Sequence, residues 1–164
     1  MILKKVCMLG TTAVGKTSLV RRFVESIFSE GYLTSIGVKT DKKMVRVNDR
    51  ELTIVLWDIY GWDEFQSLRM DYLRGMHGYL LVADGTRKNT VDDALSISQS
   101  IEKDFGKIPF VFLLNKVDLK DEWEVEKDAE DRLAERGWMV LRSSAKTGES
   151  VDAAFEALGH KMLA

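Results

Sequence analysis

Eight residues constrain this chain more than any others: Gly10-Thr11-Thr12-Ala13-Val14-Gly15-Lys16-Thr17, directly after the apolar run Val6-Cys7-Met8-Leu9. The spacing is G-x-x-x-x-G-K-[ST], placed where a strand should end and a helix begin. Glycines let backbone N–H groups curl around phosphate oxygens, and a helix N-terminus adds positive potential. In such a loop the Lys16 ammonium reaches the β- and γ-phosphates, and the Thr17 hydroxyl ligates Mg2+. The bland alternative is a chance match on a glycine-containing turn, against which the strand–loop–helix context speaks.

The 164 residues suit one domain, expected to span residues 1–164, and 45% hydrophobic composition allows a real core. A formal net charge of −2 gives no general pull toward nucleic acid or anionic membrane. The single cysteine, Cys7, excludes an internal disulfide framework and fits a reducing compartment. Inside an apolar run it reads as a small buried hydrophobe. No apolar stretch reaches the roughly 18 residues of a spanning helix, and the N-terminus lacks a signal-peptide core. The end, Lys161-Met162-Leu163-Ala164, carries no C-a-a-X box. The expectation is therefore a cytoplasmic protein with no encoded membrane anchor, the alternatives being recruitment by a partner or an anchoring tail that is not part of this sequence.

Apolar strand-like runs alternate with amphipathic helical ones. Ile2–Leu9 reads as a strand, and Lys16–Ile27 as a helix with Leu19, Val20, Phe23, Val24 and Ile27 on one face. Val38–Val47 and Leu52–Asp58 flank the polar stretch Asn48-Asp49-Arg50-Glu51, which predicts a hairpin. Tyr79–Ala83 and Phe110–Leu114 read as strands buried on both faces. Val91–Phe105 and Glu126–Arg136 read as helices, the second stopped by Gly137. Met139–Arg142 is a last strand, and Val151, Ala154, Phe155, Leu158 and Met162 stripe a closing helix. The alternation predicts an α/β sandwich of three layers: about six strands, mostly parallel with one antiparallel strand, and helices on both faces. In such sheets ligands bind beyond the carboxyl ends of the strands.

The polar motifs fall at those ends. Asp58-Ile59-Tyr60-Gly61 is D-x-x-G: the carboxylate can hold Mg2+ through water opposite Thr17, and Gly61 can offer an unblocked N–H to a γ-phosphate. Alone it is also an ordinary strand-ending turn. Asn115-Lys116-Val117-Asp118 ends the Phe110–Leu114 run, and Ser144-Ala145-Lys146 follows the last strand. With these four motifs in order and at spacing, the chain resembles the Ras-like small GTPases, most closely the Rab branch. Tyr72-Leu73-Arg74-Gly75-Met76-His77-Gly78 and Ile36-Gly37-Val38 are similar to that branch too. The resemblance runs from Ile2 to about Leu163 and implies the P-loop NTPase fold.

It also implies GTP and GDP as ligands with Mg2+. Thr12, Ala13, Val14, Gly15, Lys16, Thr17 and Ser18 would contact phosphates, with Thr17, Ser35 and Asp58 around the metal. Asp118 would accept the guanine N1–H and exocyclic amine; adenine lacks matching donors, and a mismatch would leave a buried carboxylate unpaired. Asn115 would tie the base loop to the phosphate loop, the Lys116 stem would pack on the base, and the Ala145 N–H would reach the guanine O6. Ser144 and Lys146 complete that loop, and Phe28 would stack across the base unless it is simply a core residue. Effectors, an exchange factor and an activating protein would bind residues 30–40 and 59–75, and the family default is a monomer.

Three positions depart from the family pattern. Trp62 stands where a Gln usually orients the attacking water. An indole has one N–H donor and no acceptor, so it cannot do that work. Asp63, Glu64 and Gln66 are nearby substitutes or a solvated surface. Ser35 stands for a Thr whose hydroxyl ligates Mg2+; it keeps the group and loses the methyl, with Thr34 adjacent. Thr12, with Tyr60, adds bulk where an arginine finger would enter. Of the proposed catalytic positions Lys16, Ser35 and Trp62, the last makes slow hydrolysis the expectation. The leading reading is a guanine-nucleotide switch. The second is a module that holds GTP or GDP without turnover, and the third, a P-loop ATPase or small-molecule kinase, conflicts with Asn115–Asp118. His77 and His160 match no metal spacing, the seven methionines suit core filling, and Trp123 is expected to be exposed at the start of a charged helix.

Overall fold

The structure, a computed structural model, describes residues 2–25, 38–59 and 71–164. Its elements in chain order are β1 (Ile2–Leu9), α1 (Lys16–Glu25), β2 (Val38–Val47), β3 (Arg50–Ile59), β4 (Gly78–Asp84), α2 (Asn89–Phe105), β5 (Phe110–Asn115), a 3-10 turn (Lys120–Glu122), α3 (Lys127–Glu135), β6 (Val140–Arg142) and α4 (Val151–Leu163). The strands form one six-stranded sheet in the order β2-β3-β1-β4-β5-β6. Among the described residues only β2 runs antiparallel, against β3.

Alternation along the strands divides the core into two layers. Val6 and Met8 of β1, with Leu80 and Val82 of β4, face Leu19, Val20 and Phe23 of α1 and Ala154, Phe155 and Leu158 of α4. Cys7, Leu9, Leu81 and Ala83 point the other way, toward Val91, Ala94, Ile97 and Ile101 of α2 and Leu133 of α3. Every residue of β4 is buried, as a strand covered on both faces requires. Phe23 and Phe155 stack with centroids 3.7 Å apart and lock α1 to α4. Gly78 lets α4 close over the start of β4, because a Cβ there would crowd Met162 and Leu158.

Several boundaries differ from the sequence expectation. The hairpin turn is Asn48-Asp49 alone, both left-handed (φ 50° and 63°), so Arg50 and Glu51 begin β3. Such a two-residue turn matches the strand twist better than a four-residue polar loop. β4 and β5 each extend to a polar residue, Asp84 and Asn115. Helix α1 is described to Glu25, and Ile27 lies outside the described residues.

Trp123 is a correction. It follows the 3-10 turn, and α3 begins only at Lys127. Its ring is half-buried against Gly85, where any Cβ would overlap it, and Arg142 sits 5.3 Å over the ring. Arg142 is held there by a two-pronged pair with Glu130 at 2.7 Å. Cys7 is fully buried, and burial pushes its thiol up to about 12 against a smaller lowering from Lys5. His77 is exposed and accepts the Lys5 N–H at Nδ1, 2.9 Å; the His160 Nδ1 lies 3.4 Å from Asn48 Nδ2. Among the described residues no helix is long and apolar enough to cross a membrane.

At the pole where β5 and β6 begin, a cavity of about 400 Å³ is lined by Lys107, Pro109, Phe110, Trp138, Lys161 and Ala164.

Candidate functional site

Buried polar groups gather at the opposite pole. Thr11 and Lys16 follow β1, Asp58 stands near the end of β3, Asp84 and Asn115 end β4 and β5, and Ser143 and Ser144 follow β6; all are buried. β1 lies between β3 and β4, so the chain turns to one side of it first and to the other afterwards. The loop after β1 is thus at the switch point where open α/β sheets bind ligands.

The phosphate-loop motif runs from the end of β1 to Lys16 and Thr17, the first two residues of α1. Its backbone is left-handed at Ala13 (φ 64°) and Gly15 (φ 103°). Gly15 is required by proximity as well as conformation, since a Cβ there would overlap the Asn115 amide. Thr12 and Ala13 are exposed, Val14 is buried, and Thr17 and Ser18 are half-buried. The buried Lys16 ammonium donates to Gly10 O at 2.5 Å.

The Thr17 hydroxyl donates to Asp58 Oδ2 at 2.6 Å, across 41 positions of sequence. A hydroxyl and a carboxylate side by side are hard oxygen donors. They suit Mg2+, which takes one or two protein ligands and fills the rest with water and phosphate. Among the described residues no group of three or more His, Cys, Asp or Glu could cage a metal by itself. The donor set therefore fits a magnesium shared with a phosphate ligand.

The motif after β5 is wired to the phosphate loop. Asn115 Nδ2 donates to Val14 O at 2.9 Å, and Asn115 Oδ1 accepts from Ser143 Oγ at 3.2 Å. Lys116, itself left-handed at φ 72°, sends its ammonium to Ala13 O at 3.0 Å. Ser144 Oγ donates to Asp118 Oδ1 at 2.7 Å and orients that carboxylate. Ala145 is buried and Lys146 exposed, and both carbonyls accept from the Arg22 guanidinium of α1, Ala145 at 2.9 Å. Phe28, Ser35, Gly61 and Trp62, like Thr34, Tyr60, Asp63, Glu64 and Gln66, lie outside the described residues.

The sequence reading missed Asp84 and Arg87. Asp84 is 1% exposed; its Oδ1 accepts the Thr86 N–H at 2.8 Å and the Thr86 hydroxyl at 2.6 Å. Its Oδ2 accepts from Lys116 Nζ at 2.8 Å and from Arg87 Nε at 3.1 Å. Arg87 Nη2 also donates to Thr12 O at 3.0 Å. Burial alone would raise the Asp84 pKa; the bonds from Lys116, Thr86 and Arg87 outweigh it and hold the carboxyl below its ordinary value. A signal is present in the sequence: Asp84-Gly85-Thr86 closes an apolar run as an Asx-type turn, a polar strand end like Asp58 and Asn115.

The chain is similar to known proteins along nearly its whole length. The model of the Ras family matches residues 5–164. Ras-related protein RABG3c of Arabidopsis thaliana is 36% identical, covering 99% of this chain and 83% of its own. Ras-related protein Rab7 of Drosophila melanogaster is 35% identical over 98% of this chain and 81% of its own. Ras-related protein Rab-13 of Bos taurus is 31% identical over 97% and 79%. With a family match over nearly its whole length, and Rab-named relatives at this identity, the chain belongs to the Ras family of small GTPases.

Proposed function

We propose that this chain is a guanine-nucleotide switch that binds GDP and GTP with Mg2+ and hydrolyses GTP slowly. The observation that carries the reading is the joining of two loops: Asn115 and Lys116 donate to Val14 O and Ala13 O, so a base-reading motif and a phosphate-binding motif form one surface. Asp118, oriented by Ser144, accepts the guanine N1–H and amine, and the Ala145 N–H meets O6. The Lys116 stem and Phe28 cover the base. Lys16 and the N–H groups of residues 12–18 hold the phosphates at the N-terminus of α1. Thr17 and Ser35 would ligate Mg2+ directly and Asp58 through water, where the ion neutralises phosphate charge.

Slow hydrolysis follows from Trp62. Its indole donates one hydrogen bond and accepts none, so it cannot orient an attacking water. Thr12 is exposed at the loop and narrows the approach of an arginine finger. Residues 1–164 then act as one G domain, monomeric, whose partners read residues 30–40 and 59–75.

Single-turnover hydrolysis of preloaded GTP, beside Trp62→Gln, tests the reading. The expected result is slow turnover in the parent and about tenfold or faster cleavage in the variant. A parent as fast as its variant shows that another residue positions the water. A parent and variant that both keep GTP intact for hours point instead to a nucleotide-holding interaction module. Thermal stabilisation by ATP as large as that by GTP overturns the guanine assignment.

A further inference from the structure

Three successive carbonyls of the phosphate loop are each held from outside by one side chain. Thr12 O accepts from Arg87 Nη2 at 3.0 Å, Ala13 O from Lys116 Nζ at 3.0 Å, and Val14 O from Asn115 Nδ2 at 2.9 Å. In a trans peptide the carbonyl and the next residue's N–H point in opposite directions. Bonds that pull these carbonyls outward therefore turn the N–H groups of Ala13, Val14 and Gly15 the other way. Consecutive N–H groups aimed to one side form a concave anion-binding nest. Two of the three holds come from the motif after β5. The third, Arg87, comes from the turn before α2 and belongs to none of the motifs read from the sequence.

Arg87 is built for the task. Its guanidinium is a rigid fork: Nε rests on Asp84 Oδ2 at 3.1 Å while Nη2 reaches Thr12 O. A lysine at this place could not hold both partners with fixed geometry. The anchor is firm, since Asp84 also accepts from Thr86 and Lys116, and its own N–H donates to Thr90 Oγ1 at 2.8 Å. The turn carrying Arg87 is pinned further by Glu124, whose N–H donates to Gly85 O at 2.8 Å and whose Oε1 accepts from Lys88 N at 3.0 Å. Two cations on one carboxylate leave a net positive charge beside the loop, which favours an anion there.

We infer that Arg87, braced on Asp84, is a positioning residue for nucleotide: it fixes the anion-binding shape of the phosphate loop and slows release of nucleotides that carry a β-phosphate. The inference rests on the guanine-switch reading and adds to it a residue and a property, retention.

The test uses the full chain loaded with a fluorescent GDP. Release is timed after adding excess unlabelled GDP, and GDP and GMP affinities are compared by competition. Arg87→Ala should release GDP about tenfold faster, the loss of one charge-assisted bond to the loop. The preference for GDP over GMP should fall by a similar factor, because GMP lacks the phosphate the nest holds. A merely structural defect would weaken both nucleotides equally. Arg87→Lys should recover only part of the retention, and Asp84→Asn, which removes the brace, should release GDP faster than the parent. Lys103→Ala, an exposed cation at the far end of α2, should match the parent. If Arg87→Ala does not fold, Arg87→Lys carries the test, with release at least about threefold faster. Release within about twofold of the parent, or equal losses for GDP and GMP, overturns the inference. A parent that holds neither GDP nor GTP overturns the guanine reading itself, a separate and recognisable outcome.

Discussion

Asp84 shows how one side chain ties stability to pH. Its bonds to Lys116, Thr86 and Arg87 hold the carboxyl below its ordinary value in spite of burial. A depressed folded pKa contributes stability above the unfolded value of about 3.9, and that contribution is lost as pH falls through the folded value. Asp84→Asn should therefore cost about 1–3 kcal/mol near pH 7, the penalty of a weakened buried bond set. The gap from the parent should close as pH falls below about 4, checked by urea unfolding at several pH values. His77 behaves as a base held back: burial, then the charges of Lys4 and Lys5, lower its pKa from the model-peptide value of 6.5. Proton NMR should find its titration midpoint below that value. Arg87 escaped the sequence reading because its partner Thr12 is distant along the chain, and Asp84 because its short turn to Thr86 reads as an ordinary strand end. Thr12 lies 75 residues from Arg87, and no local spacing records that contact. Asn115 and Lys116 make contacts just as remote, yet their motif is a known tetrapeptide and so was legible.

At the scale of elements, periodicity revealed the strands and helices but not their ends. The Asn48-Asp49 turn is the instructive case. Four polar residues in a row read as loop, whereas cross-strand pairing of Arg50 with Val47 and Glu51 with Arg46 draws two of them into the ladder. Pairing is a property of two strands and is invisible in either one. The turn that remains holds two non-glycine residues in the left-handed region. Asp49→Gly should relieve the second and stabilise the fold by about 0.5–1 kcal/mol. Calorimetry should then show a rise in Tm of about 2–4 °C per kcal/mol for a chain of this size. Trp123 was misjudged for a related reason. The charges around it are exposed, but the space over Gly85 is created only when the segment after β5 folds back onto the turn after β4.

For the whole molecule, the sandwich was readable because each strand's apolar run and each helix's stripe are local, and two such layers have few ways to pack. Neither core is dispensable. Phe155, fully buried and stacked on Phe23, joins two helices to the sheet, and Phe155→Ala should cost about 3–5 kcal/mol in equilibrium unfolding. What the fold could not supply was the chemistry of Trp62 and Ser35, whose positions lie outside the described residues; there the amino-acid identities themselves carry the proposal. The architecture has a head and a foot. Helix α4 starts at Val151, six residues after the buried Ala145, and ends beside the start of β4, with Ala164 on the cavity at the far pole. A tether attached at Ala164 would hang from the foot, so protein captured on a sensor surface through that residue would present its phosphate loop to the flowing solution in one orientation.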